Sequence, residues 1–199
     1  SESLWGGRVA LKYEYAPRAM AYVSLARGYK AGGFNTDGTL PINLREFDSE
    51  TLIEWELGIK ATLMDDRVSV TGALFHDQRS DQQVKSSFVQ ARPDGSTEFI
   101  DFLGNAAEGT NRGLEISTNW IASDRLSFDV ALAYLDAEFD QFINEFGEDL
   151  SGRAQAQAPR YSYQVGIQWQ QNAWRANLSF VGKDEFFFSD RHDLKSQDQ

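Results

Sequence analysis

Apolar side chains recur at every second position of this chain, over runs too long to be accidental. From Thr51 to Leu63, Ile53, Trp55, Leu57, Ile59, Ala61 and Leu63 share one parity, while Leu52, Glu54, Glu56, Gly58, Lys60 and Thr62 share the other. Successive side chains of a strand point to opposite faces, so a period of two makes one apolar face and one mostly polar face. A helix would scatter Glu54, Glu56 and Lys60 around its circumference. Five further runs read the same way. Val9, Leu11, Tyr13 and Tyr15 alternate with polar or small residues, as do Leu114, Ile116, Thr118 and Trp120. So do Leu126, Phe128, Val130, Leu132 and Tyr134; Tyr161, Tyr163, Val165, Ile167 and Trp169; and Trp174, Ala176, Leu178 and Phe180. Val68 to Phe75 and Met20 to Arg27 alternate less cleanly, and the second leaves its faces unassigned. The pattern predicts an all-β chain of about eight antiparallel strands in an up-and-down meander.

The connections fall into two sizes. Short polar turns sit at Ala16-Pro17-Arg18, Met64-Asp65-Asp66, Ala122-Ser123-Asp124 and Gln171-Asn172-Ala173. Long segments rich in Gly, Asp, Asn, Gln and Ser run from about Gly28 to Glu50, Gln78 to Thr110, and Asp136 to Arg160. Short turns at one end of the strands and long loops at the other form the asymmetry of outer-membrane barrels. The longest runs approach the ~9–11 residues of a membrane-crossing strand, against the ~5–6 of a common globular strand. Trp120, Trp169 and Trp174 lie beside the short turns, and Tyr134 and Tyr161 at the far strand ends, where an aromatic ring suits a membrane–water interface.

Composition removes other classes. Lys+Arg number 19 against 30 Asp+Glu, a net charge of −11 that suits no nucleic-acid partner. There are no cysteines, which excludes disulfide scaffolds, thiolate metal sites and cysteine catalysis. The 2 histidines leave no His-rich metal site. The glycines of 28–33 are not followed by the Gly-Lys-Ser/Thr of a phosphate loop, and no Gly-x-Ser-x-Gly elbow occurs. Asp184, Glu185, Asp190 and His192 match no metal-ligand spacing. The chain is read as neither an enzyme nor a cofactor carrier. It has no apolar run of ~18 residues, a test that a membrane β-barrel also fails.

Alternation shows that two faces differ, not which is inside. A lipocalin-like or lectin-like soluble binding module would enclose the apolar face; a membrane barrel would turn it outward. Periodicity leaves both open.

A set of ordered motifs bears on the choice. Ala26-Arg27-Gly28-Tyr29-Lys30-Ala31-Gly32-Gly33-Phe34-Asn35 resembles the [SA]-x-G-[YF]-K-x-G-G-[FY]-N segment of TonB-dependent outer-membrane receptors. Trp55-Glu56-Leu57-Gly58-Ile59-Lys60 is similar to their [YW]-E-[LV]-G-x-K strand. Arg67 to Val84 resembles the next strand and its exit, and Asn105 with Gly113-Leu114-Glu115 the N-x(n)-G-x-E strand. Tyr134 to Phe139, and Gly152 through Ala158-Pro159, resemble the loop that follows.

The resemblance implies a place in a larger transmembrane β-barrel of about 22 strands, with a plug domain in its lumen. It implies a bacterial outer-membrane location and import of a scarce ligand, most often a ferric siderophore, with energy delivered through TonB. Residues 1–199 are then expected to be a part of that barrel without the plug, the TonB-contacting segment or the terminal strand, and unable to transport alone. The expected partners are outer-membrane lipid, the plug, the other barrel strands and an iron chelate. On this reading Trp55, Leu57, Ile59, Leu114, Ile116, Trp120, Phe128, Val130, Leu132, Val165, Ile167, Trp169, Trp174, Leu178 and Phe180 face lipid. Glu54, Glu56, Lys60, Glu115, Ser117, Asn119, Asp129, Gln164, Gln168 and Asn177 face the lumen. Arg27, Tyr29, Lys30, Phe34 and Asn35 stand at the rim as candidate ligand contacts, where a cation would attract an anionic chelate.

Overall fold

The computed structural model describes residues 3–92, 94–144, 147–190, 192 and 194–196. Its strands are β1 (Gly7–Ala16), β2 (Ala19–Lys30), β3 (Gly33–Phe34), β4 (Glu46–Phe47), β5 (Glu50–Leu63), β6 (Val68–Ala91), β7 (Thr97–Ser123), β8 (Leu126–Phe142), β9 (Tyr161–Gln171) and β10 (Trp174–Lys183). One 3-10 turn spans Ile42–Leu44, and no α-helix occurs among the described residues. Eight strands form one antiparallel meander in the order β1-β2-β5-β6-β7-β8-β9-β10. β3 and β4 pair separately within the β2–β5 connection. Along the described residues β1 and β10 are the sheet edges.

The register carries each apolar parity straight across the sheet. Leu11 pairs with Val23, Val23 with Leu57, Leu57 with Leu74, Leu74 with Leu114, Leu114 with Tyr134 and Tyr134 with Tyr161. Nearer the short turns, Leu63 pairs with Val68, Val68 with Trp120, Trp120 with Phe128, Phe128 with Ile167 and Ile167 with Leu178. Pairing also assigns the ambiguous strand. Ala21, Val23 and Leu25 of β2 join the apolar face, while Tyr22 and Ser24 pair with Gly58 and Glu56 on the polar one.

All four short turns lie where the sequence places them. The β5–β6 turn passes through three left-handed residues, Met64 (φ 53°), Asp65 (51°) and Asp66 (70°). Asp tolerates that region better than most side chains, because it hydrogen-bonds locally. Arg18 of the neighbouring β1–β2 turn donates to Asp66.

The long connections differ from expectation. Residues 78–110 are not an open loop: β6 continues to Ala91 and β7 begins at Thr97, so the hairpin rises well beyond its neighbours. Its tip closes with Arg92 N donating to Ser96 O (2.8 Å), Gly95 at φ 84° and the Asp94 carboxylate accepting from Ser96 N (2.9 Å) and Oγ (2.7 Å). An Asp-Gly pair between two strands is a strong hairpin signal. β8 likewise runs to Phe142, through the 136–142 stretch expected to be loop. A bulge interrupts the tall hairpin where pairing slips between Arg79 and Gln82 and again before Gln83, with Asp81 at φ 55°. Such a bulge re-aims the strand above it.

Above the bulge the sheet becomes two-sided, and here the buried residues gather. Val84, Ala107, Phe139, Phe142 and Leu150 pack together, the two phenyl rings 4.7 Å apart. Leu40, Ile100 and Phe102 form a second cluster, flanked by Leu44. Three amides tie the 31–49 connection to the hairpin. Asn35 Nδ2 donates to Leu44 O and Leu103 O (2.8 Å each), and its Oδ1 accepts from Leu103 N (2.9 Å). Gln83 Nε2 donates to Ala31 O (3.0 Å) and Asp48 O (2.9 Å). Asn105 accepts from Asp48 N (2.6 Å) and donates to Asp48 O (3.0 Å) and Asp81 O (2.7 Å).

Glycines on the polar face make room for rings. Tyr22 lies over Gly58 and Phe75 over Gly113, and a Cβ at Gly113 would also run into Tyr134 O. This accounts for the weak alternation of β6: Phe75 sits on the polar parity because its ring fills the space above a glycine. Gly113→Ala is expected to lower stability by ~1–3 kcal/mol through overpacking, read as an earlier unfolding transition of the full-length barrel. Asn35→Ala leaves the Leu103 N–H and C=O without their partner, a cost of ~1–3 kcal/mol when such groups stay buried. Amide exchange should then speed up across 33–47 while 53–61 stays protected; unchanged exchange in 33–47 would show that the clamp holds nothing.

Candidate functional site

The two faces of the wall differ in shape as well as chemistry. On the apolar parity Val9, Leu11 and Tyr13 are 75%, 72% and 70% exposed, and Trp55, Leu57 and Ile59 about half exposed. These side chains do not converge into a sealed interior, which is what a soluble module with an inward apolar face requires. The hollows of the wall open on the polar parity. One of about 320 Å³ lies among Tyr22, Glu56, Lys60, Thr71, Glu115 and Ser117. Another of about 280 Å³ lies among Ser69, Ser117, Asn119, Asp129 and Gln164. The polar face is therefore the concave one.

The polar residues bond across strands in two separate groups. Asn119 donates to Asp129 (2.7 Å), and Gln168 donates to the other Asp129 oxygen (3.1 Å). Arg8 bridges Ser24 (2.9 Å) and Glu56 (3.2 Å), and Lys60 lies over the Tyr22 ring. Pairing sets Lys60, Thr71, Ser117, Ala131 and Gln164 in one row, with Glu115 and Asn177 on the same face.

The five rim residues are not brought together. Arg27 and Tyr29 share the apolar parity of β2. Arg27 donates to the carbonyl of Trp5 and lies 4.3 Å over its ring, so it anchors the segment before β1. Lys30 stands on the other parity, opposite Glu50. Phe34 is 71% exposed, and both ends of the Asn35 amide are used in holding the 31–49 connection.

A cavity of about 460 Å³, open to solvent, lies beside the tall hairpin. Lys85, Ser86, Ser87 and Asp101 of the hairpin meet Phe142, Asn144 and Leu150 above β8, and Gln157, Phe188, Ser189 and Asp190 from the later connections. Lys85 Nζ lies 2.7 Å from Asp101 Oδ2, and Ser87 Oγ donates to Oδ1 (2.8 Å). These two bonds hold the Asp101 carboxyl below its ordinary value. Asp190 Oδ1 accepts from Ala156 N (2.8 Å), which fixes the carboxylate on the opposite side. His192 is used in the same packing, stacked on Phe187 at 3.7 Å with Nε2 2.7 Å from Ala154 O. Among the described residues no group of three His, Asp or Glu could hold a metal ion. The cavity residues escaped the sequence reading because 78–110 shows no clean alternation: a bulge breaks the period, and Val89 and Phe99 are apolar on the exposed parity. The Asp94-Gly95 turn was the available signal.

Charge is divided sharply between wall and rim. Residues 28–50, 78–110, 136–160 and 184–199 hold 9 of the 19 Lys+Arg and 20 of the 30 Asp+Glu, so the whole net charge of −11 resides there. The remaining strands and short turns hold 10 of each and are neutral. A single-sign field of this kind steers charged solutes over distances beyond contact.

Comparison with known proteins agrees with this architecture. Residues 1–197 match the family described as TonB dependent receptor-like, beta-barrel. The pesticin receptor of Yersinia pestis is 26% identical over 133 residues, 67% of this chain and 18% of that protein. Among solved structures, the ferric yersiniabactin uptake receptor FyuA from Yersinia pestis superposes with a TM-score of 0.77 at 19% identity, over 96% of this chain and 28% of that one. The siderophore receptor PiuA from Acinetobacter baumannii gives 0.72 at 15% identity, over 96% and 28%. The copper transporter OprC gives 0.65 at 13% identity, over 90% and 26%. The chain thus spans less than a third of the length of these relatives. No helix among the described residues is long and apolar enough to cross a membrane, which leaves crossing by strands untouched. An extended antiparallel meander, an exposed apolar face and a family match over nearly every residue lead to one conclusion: the chain belongs to the TonB-dependent receptors, β-barrels of the bacterial outer membrane.

Proposed function

We propose that the chain is one arc of a larger receptor barrel that imports a scarce ligand, a metal chelate of the ferric siderophore type, with energy passed from TonB. The observation that carries the reading is the unbroken, exposed apolar face that the register builds across all eight strands. A face that size on a single-layered sheet needs an apolar medium beside it, and a bilayer core provides one without a second protein layer. Trp55, Leu57, Ile59, Leu114, Ile116, Leu132, Val165, Ile167, Leu178 and Phe180 then meet acyl chains. Trp120, Trp169 and Trp174 lie at the short-turn interface, and Tyr134 and Tyr161 at the opposite one. Glu54, Glu56, Lys60, Glu115, Ser117, Asn119, Asp129, Gln164, Gln168 and Asn177 line the lumen, where a plug domain fills the space and water carries the remaining hydrogen bonds. The edges of β1 and β10 continue into further barrel strands, since an open edge inside lipid leaves backbone groups unpaired. Uptake belongs to the complete receptor, in which the plug gates the lumen and contacts TonB.

Two measurements test the reading. Ile116→Arg and Val165→Arg should each cost ~2–4 kcal/mol of barrel stability in bilayers if the residue lies near the midplane. Ser117→Arg and Gln164→Arg should be nearly silent, and equal damage on both parities would remove the membrane assignment. Iron-starved cells carrying the full-length receptor should accumulate a labelled ferric chelate only while TonB is present; accumulation that survives loss of TonB would exclude energised import by this route.

A further inference from the structure

We propose that the rim cavity between the tall hairpin and the later connections is the ligand's entry subsite, and that it selects cationic chelates. The inference rests on the import reading and specifies the class of chelate. Three observations converge on it. The cavity has about 460 Å³ of room, within the range of small-molecule sites, and is open to solvent. Its described charged lining is one ammonium, Lys85, against two carboxylates, Asp101 and Asp190. Lys85 and Asp101 neutralise each other at 2.7 Å, so the carboxylate of Asp190 sets the sign of the cavity. The hydroxyls of Ser86 and Ser87 add neutral hydrogen-bonding groups to the wall.

The surroundings act in the same direction. Among the described residues of the four rim segments, 8 Lys+Arg stand against 17 Asp+Glu. An anionic chelate approaching this surface is repelled before it reaches the cavity, whereas a cationic one is concentrated there. Of the two rim cations expected to attract an anion, Arg27 is bound to the Trp5 carbonyl and ring and Lys30 stands opposite Glu50, and neither lines the cavity. Fixing the carboxylates in advance adds to the selectivity. Asp190 is held by the Ala156 amide and the opposite side is fixed by the Lys85–Asp101–Ser87 bonds, so neither side must be ordered when a cation binds.

The test uses the purified full-length receptor in detergent, with quenching of tryptophan fluorescence as the readout. The probes are ferrioxamine B, a cationic trihydroxamate complex, and ferric enterobactin, a trianionic tricatecholate complex. The cationic probe should bind at least about tenfold more tightly at low salt, with the ratio shrinking as salt screens the rim. Asp190→Asn should reduce the ratio several-fold, and Ser87→Phe, which occupies part of the cavity, should weaken the cationic probe without changing barrel stability. Tighter binding of the trianionic probe, or a ratio unmoved by both variants, overturns the proposal and leaves chelate import standing. Failure of either probe to bind while other solutes are imported overturns the chelate reading and this proposal together.

Discussion

The structure depends on the cross-strand register. A strand's side chains alternate, so a one-residue slip between any two neighbours would exchange their faces and put Glu54 or Asp129 among the apolar residues. Eight strands in unbroken antiparallel pairing avoid this, and everything else follows from it. The apolar parities join into one surface, the polar parities into another, and the backbone groups between them are satisfied within the sheet. In a bilayer that internal satisfaction is a requirement, because no water is present to replace a missing partner.

The two ends of the strands are built on different principles. At one end the turns are short, and left-handed residues such as Asp65, Asp66 and Asn172 reverse the chain, with Arg67 N donating to Met64 O across the β5–β6 turn. At the other end the sheet rises into a thick layer with small apolar clusters of its own around Phe139 and Leu40. The wall needs no such clusters, since its apolar face is served by the surrounding medium. The rim stands in water and must bury apolar surface within the protein to hold a shape. Asn35, Gln83 and Asn105 add direction to that burial by fixing backbone to backbone across the connection.

In the strands and short turns cations and anions balance, at 10 each. The acidic excess lies at the other end of the strands, where 17 Asp+Glu stand against 8 Lys+Arg among the described residues of the long connections and the segment after β10. The long hairpin brings Lys85 and Asp101 far above the wall and gives the cavity a rigid side, because strands position side chains more closely than open loops do.

The sequence determined the strands, the short turns and the faces of every strand but β2, because a period of two is written directly in the order of residues such as Ile53, Trp55, Leu57 and Ile59. It also carried the family resemblance, through motifs at 26–35 and 55–60. It did not show that 78–110 is a hairpin, because the bulge at 79–83 breaks the period there and apolar residues such as Val89 and Phe99 stand on the exposed parity opposite buried Val84, Ile100 and Phe102. Nor did it decide which face of the wall is concave, the roles of Phe75 and Tyr22 over their glycines, or the use of Asn35 as a clamp. Those depend on contacts between residues far apart in the chain, such as Asn35 with Leu103 and Asp190 with Ala156, and only the folded pairing brings them within reach.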